Sequence, residues 1–204
     1  MVTMFIDHFG AMLYPDVLIF RIIGRLAFPI FAFLIAEGCI HSKNKKNYLK
    51  RILLCASTYQ IIAWILEPNT GLSVVWGYVL AVCFAMSMDW AKRDWKKRYI
   101  MPEMIAILSC FALIATNTSY LCFSFLFILA AYLIKKPWLR YLAMTAVLLI
   151  LGVCYELQMF GLLAMPLIML YKGNRGNLKL GRFMYWFYPL HYLFIGIIKH
   201  IVQS

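Results

Sequence analysis

No two cysteines in this chain are spaced as a pair. Cys39, Cys55, Cys83, Cys110, Cys122 and Cys154 fall singly, mostly inside apolar runs, with no CxxC. That excludes a disulfide framework and a zinc site, and leaves them as small buried hydrophobes. Acidic residues are also scarce, eight Asp and Glu against 20 Lys and Arg. The chain has no internal repeat, no low-complexity tract and no polar stretch long enough for a soluble domain, so 1–204 reads as one integral-membrane domain. The first apolar run lacks the basic flank and small-residue cleavage site of a removable signal peptide. Met1 already lies inside the hydrophobic pattern, as expected if the natural start lies upstream.

Apolar side chains are abundant. Hydrophobic residues make up 64% of the chain and aromatics 17%, with a mean hydropathy of +0.79, outside the soluble globular range. Apolar runs fall near 1–14, 17–40, 48–66, 72–89, 100–116, 119–134, 138–154, 157–171 and 183–202. The expectation is an all-α, polytopic transmembrane helix bundle of about nine spans, with a range of about 8–10. Trp64, Trp76, Trp90, Trp95 and Trp138 sit near span ends, where interfacial belts form. Gln60, one of the few polar interruptions, is expected to hydrogen-bond to a neighbouring helix.

The net charge of +12 could suggest a nucleic-acid partner, but its placement argues against one. The connectors 41–51, 89–98, 135–140 and 172–182 carry 17 of the 20 Lys and Arg, and the alternate connectors carry none. That asymmetry follows the positive-inside rule and places the N-terminus and the basic loops in the cytoplasm. The partner it implies is the lipid bilayer.

The chemistry-bearing residues concentrate in three helices. Phe20–Gly38 is apolar enough to cross a bilayer yet carries Arg21, Arg25 and Glu37. A charge near the midplane costs at least ~2.5–3.5 kcal/mol, so such residues usually face a protein interior or a cavity. Arg21 and Arg25 share a helix face, and Pro29 cannot donate to the Arg25 carbonyl, so a kinked helix with a spare carbonyl is expected, walled by Phe28, Phe31 and Phe33. Glu37 and His41 are spaced as neighbours one turn apart, either a modest surface pair or a cavity rim. Glu37 lies about 120° round the helix from Arg25, so no pairing between those two is assumed. Asp7 and His8 lie in the first span, with His8 ~10 Å from its basic-side end. His191, two residues after Pro189, lies ~12 Å in from the same side. Two histidines at one depth, beside an arginine-bearing broken helix, make a polar site inside an apolar bundle; His8 titrates in the range of a general base or proton relay. The turn GNRGN offers backbone donors and Arg175 as a phosphate grip.

The stretches IDHFGAMLYPD, RIIGRLAFPIFAFLIAEG, MFGLLAMPLIMLYKGNRG and WFYPLHYLF, in that order, resemble the signature segments of the TraX family of integral-membrane acetyltransferases. That family is similar in turn to the wider superfamily of membrane acyltransferases that modify sugars. The resemblance implies a bacterial inner-membrane enzyme that moves an acetyl group from acetyl-CoA, its donor substrate, to an amine or hydroxyl of a peptide, pilin-like or glycan acceptor. It matches His8 to the catalytic base, Phe28–Gly38 to a second motif and His191 to a late histidine in a tyrosine-rich helix. Within that chemistry Arg25, with Arg21 second, is the cation for the developing oxyanion, and Asp7 orients a partner other than His8. His191 serves the leaving thiolate or the thioester carbonyl. Arg21, Glu37, His41 and Arg175 are the donor-binding set, and no metal is expected. Relatives usually carry a further cationic N-terminal arm and an Asp-Tyr-Gly-type turn near 118–126, and both are missing here. A proton-coupled transporter and a membrane scaffold remain alternatives, since intramembrane charges on a broken helix also describe a substrate pathway. The acceptor and the oligomeric state stay open at this stage.

Overall fold

The computed structural model describes residues 1–91, 119–171, 173 and 181–203. Lipid offers backbone groups no partner, so a chain this apolar must satisfy them within its own segments, and helices do so. In chain order the helices are α1 (Val2–Leu13), α2 (Leu18–Arg25), α3 (Ala27–His41), α4 (Lys45–Leu66), α5 (Val75–Ala91), α6 (Ser119–Leu133) and α7 (Pro137–Cys154). A 3-10 segment (Glu156–Ala164), α8 (Met165–Met169) and α9 (Gly181–Gln203) complete them. Among the described residues there is no strand. Three segments are long and apolar enough to cross a membrane: Leu18–His41, Lys45–Leu66 and Pro137–Cys154.

Nine spans are therefore not found among the described residues. Eight of the nine expected runs are helical, and the run at 100–116 lies outside the described residues. The run at 157–171 is not a continuous α-helix but a 3-10 segment leading into five α-helical residues. The run at 17–40 divides at Leu26, whose amide turns back to the Ile23 carbonyl at 3.3 Å. Pro29 lies in the first turn of α3, so the Arg25 carbonyl has no helical donor. Gly161 of the 3-10 segment packs there: a Cβ on it would come 3.5 Å from that carbonyl and 3.9 Å from the Pro29 ring.

Most of the buried side chains form one cluster, joining α3, α5, α6 and α7 through Phe33, Val82, Phe125, Leu148 and their neighbours. Phe28 and Phe33 belong to it, with Phe28 against Phe127, so these rings wall the main core and not the arginine face. A second, smaller cluster of Met12, Tyr59, Ala63, Tyr192 and Ile195 joins α1, α4 and α9. Gln60 turns to the connector before α5 instead of to a helix, donating to the Gly71 carbonyl at 3.2 Å and accepting from the Ser73 amide at 2.9 Å. Cys154 is exposed, unlike the buried Cys39 and Cys55.

Ion pairs link helix ends that the loop charges put on the same side. Lys45 at the start of α4 reaches Asp89 near the end of α5, and Arg140 in the first turn of α7 reaches Glu37 near the end of α3. At the opposite end Lys199 meets Glu67 at 3.0 Å. Lys45 also reaches Tyr132 at the end of α6, so α4 runs antiparallel to both α5 and α6, and α3 runs antiparallel to α7.

Candidate functional site

α1 and α2 form a tight antiparallel hairpin, and two glycines set its closeness. A Cβ on Gly10 would stand 2.3 Å from the Phe20 Cβ, and one on Gly24 would stand 2.2 Å from the Asp7 Cβ. Only glycine admits such approaches, so Gly24 is what lets Asp7 settle on the face that Arg21 and Arg25 share. Asp7 Oδ1 lies 2.5 Å from Arg25 Nη2 and 3.0 Å from Arg21 Nη1. Arg21 Nη1 also donates to the Asp7 carbonyl at 3.4 Å, and Arg25 Nε donates to the Arg21 carbonyl at 3.3 Å. Arg25 is 9% exposed. Burying a guanidinium is tolerable when a carboxylate and a carbonyl both receive it. Two cations on one carboxylate leave the trio with a formal positive charge.

His8 follows Asp7 by ~100° of helix and faces away from the arginines, toward α4 and α9. His8 Nδ1 lies 2.7 Å from His191 Nε2, and the two rings are near-parallel, 9° apart in plane with centroids at 4.9 Å. The His191 ring also stacks on Phe187, 7° apart at 5.2 Å. His191 Nδ1 lies 2.8 Å from the Phe187 carbonyl.

These contacts fix the tautomers. A carbonyl only accepts, so His191 Nδ1 carries the proton, and with both rings neutral its Nε2 is a lone pair. That lone pair accepts from His8 Nδ1–H and leaves the His8 Nε2 lone pair as the unprotonated end of the chain. No hydrogen bond occupies His8 Nε2 among the described residues. Tyr59, Tyr188 and Tyr192 surround the His8 ring, with centroids at 6.2, 6.4 and 5.2 Å, and Phe5 lies 6.4 Å from the His191 ring. These rings leave His8 partly buried, where charge interactions are stronger than in bulk water.

The structure divides the candidate residues into two groups. Asp7, His8, Arg21, Arg25 and His191 converge on α1, α2 and α9. Glu37 and His41 lie a dozen or more residues further along, at the basic-loop end: Glu37 accepts from Arg140 at 2.6 Å and lies 3.2 Å from His41. Arg140 also lies over the Phe33 ring at 5.0 Å, and its buried Nε has no hydrogen-bond partner among the described residues. Arg175 lies outside the described residues.

Gly24, Tyr59 and Arg140 are among the participants not singled out from the sequence. Gly24 had a signal, because residues 7 and 24 stand equally far from the middle of the 14–17 turn and so face one another in a hairpin. Tyr59 carried no signal beyond its aromatic type. Arg140 was hidden within a basic connector whose charge topology already explains.

No solved structure matches the chain. An uncharacterized protein of Rickettsia prowazekii (strain Madrid E), RP591, is 30% identical over 87 residues, which cover 43% of this chain and 35% of that protein, so the chain spans about a third of that relative. A family model described as TraX protein matches residues 1–199, nearly the whole length. The stretches that carry His8, the paired arginines and His191 all fall within the match, and the chain belongs to the TraX family.

Proposed function

We propose that this chain is a membrane acetyltransferase that moves an acetyl group from acetyl-CoA to an amine or hydroxyl of a peptide, pilin-like or glycan acceptor. The observation that carries the reading is the relay from the Phe187 carbonyl through His191 to His8, whose ring stands among Tyr59, Tyr188 and Tyr192.

The acceptor N–H or O–H gives its proton to His8 Nε2 as its heteroatom attacks the acetyl carbonyl. The resulting imidazolium donates through Nδ1 to His191 Nε2, so the positive charge spreads over both rings. The C–S bond then breaks, and the proton passes from His8 Nε2 to the departing CoA thiolate. Both nitrogens of His191 are engaged, so it holds and backs His8 instead of meeting the thiolate itself. The net positive charge of Asp7, Arg21 and Arg25 opposes the negative charge that grows on the carbonyl oxygen. The basic-loop end, with Glu37, His41 and Arg140, receives the nucleotide end of the donor on the cytoplasmic side.

The test uses the full chain in nanodiscs with acetyl-CoA labelled in its acetyl group, following thiol release and label transfer to acceptor-containing extracts. His8→Ala is expected to reduce transfer by a factor of ~100 or more. Transfer by His8→Ala at the wild-type rate would overturn the assignment. Solute uptake that needs no acetyl-CoA would instead favour a transporter, the reading to which buried charges on a broken helix also lend themselves.

A further inference from the structure

A cavity of about 180 Å³ lies between α4 and α9, bounded by Arg51, Leu54 and Thr58 on one side and Tyr185, Trp186 and Pro189 on the other. It does not belong to the histidine site. On α9, His191 is ~200° round the helix from Pro189, and on α4, Tyr59, which faces His8, is ~100° from Thr58. The cavity opens at the outer edge of the helix pair. Its lips are Leu54 and Trp186, 55% and 50% exposed, in line with the exposed apolar residues Ile61 and Ile65 of α4 and Leu190 and Ile197 of α9. In a membrane that edge faces lipid.

Pro189 lies inside α9 and cannot donate to the Tyr185 carbonyl, so the ladder is broken beside the cavity and the helix there can stand off from α4. Among the described residues one formal charge borders the cavity, and it is cationic. The Arg51 guanidinium lies at the basic-loop end, 5.8 Å from the Tyr185 ring centroid, and donates through Nε to the Asn47 carbonyl at 3.2 Å. Among the described residues no carboxylate lines the cavity. Lys46 and Lys50 precede it in the same basic stretch.

A lipid-facing apolar slot with a cation at headgroup depth and no acid nearby complements one class of molecule. We infer that the α4–α9 cavity holds part of an acyl chain of an anionic phospholipid, with the lipid phosphate on Arg51. The apolar slot selects the chain, and Arg51 selects the headgroup charge.

The test is native mass spectrometry of the full chain, released from detergent with phosphatidylglycerol or phosphatidylcholine added at equal concentration. Wild type is expected to retain one phosphatidylglycerol in preference to phosphatidylcholine. Arg51→Gln is expected to lower that preference about fivefold. Thr58→Phe, which fills the slot, is expected to lower retention of both lipids. Lys136→Gln, on a different basic connector, keeps the wild-type preference and controls for general loss of charge. Equal retention of the two lipids by wild type would overturn the inference. So would an undiminished preference in Arg51→Gln, when that variant elutes as a single species like wild type. Displacement of the retained lipid by millimolar inorganic phosphate would show a headgroup-only anion site and would overturn the acyl-chain part.

Discussion

The two buried clusters of this protein are made differently. The larger, across α3, α5, α6 and α7 with part of α4, is filled mostly by aliphatic and phenyl side chains, and among the described residues its ion pairs stand at its ends. The smaller, across α1, α4 and α9, is lined by tyrosines and encloses a histidine pair at mid-helix, with a three-charge cluster on the adjoining hairpin. Removing an apolar side chain from the first leaves a void. Removing one partner from the polar groups of the second leaves a buried group without its hydrogen bond or counter-charge, which costs the full desolvation of what remains. One region therefore supplies stability, and the other spends some of it to hold reactive groups in place.

Four substitutions test that division, in order of expected effect. Asp7→Asn strands both Arg21 and Arg25 without a carboxylate and is expected to cost about 3–5 kcal/mol in unfolding free energy. The double variant Asp7→Asn/Arg25→Met recovers part of that loss, measured as a double-mutant cycle in reversible detergent unfolding. A cost no greater in the single variant than in the double one would show that the two groups do not depend on each other. Leu148→Ala, at a fully buried position of the large core, is expected to cost about 2–5 kcal/mol. Label transfer per folded molecule should nevertheless stay at the wild-type level; a loss of transfer beyond the loss of folded protein would erase the distinction between the clusters. Gly24→Ala pushes a methyl group onto Asp7 and is expected to cost about 1–3 kcal/mol as overpacking. Because it moves Asp7 off the arginines, it should also slow transfer while donor binding persists, and unchanged transfer would mean that the hairpin spacing does not serve the site. Lys199→Gln, which breaks a half-exposed pair with Glu67, should cost no more than about 1 kcal/mol. A larger thermal shift would mark that end of the bundle as less solvated than its exposure indicates.

Several of these features could be read in the sequence because helix geometry is regular. Counting 1.5 Å per residue from the basic side put His8 and His191 at nearly one depth, and they touch. The four-residue spacing of Arg21 and Arg25 gave a shared face, and Pro29 gave a carbonyl without a helical donor. What fills that face and covers that carbonyl could not be read in the same way. Asp7 and Gly161 arrive from other helices, and their arrival depends on interhelical distances that no local pattern encodes. Glu37 and Arg140 are 103 residues apart, and the charge of Arg140 was already accounted for by loop topology. The helical character of 157–171 was legible from its apolar content, whereas its 3-10 winding depends on tertiary packing, with Gly161 against the Arg25 carbonyl. The nine-span count relied on hydropathy alone. Among the described residues it yields eight helical runs, of which three meet the length and composition needed to cross a membrane.

The bond between His8 and His191 joins residues 183 positions apart, the first helix to the last. At roughly 5–20 residues per second of synthesis, His8 waits about 10–40 s after its own emergence before its partner has been made. During that interval the Asp7–Arg21–Arg25 clasp can already close, because the hairpin that forms it is complete within the first 25 residues. The nascent protein therefore passes through a stage in which Asp7 holds its arginines and the histidine relay is not yet formed. A ribosome stalled ahead of α9 would leave an inserted chain whose hairpin clasp is closed but which lacks half of its histidine pair.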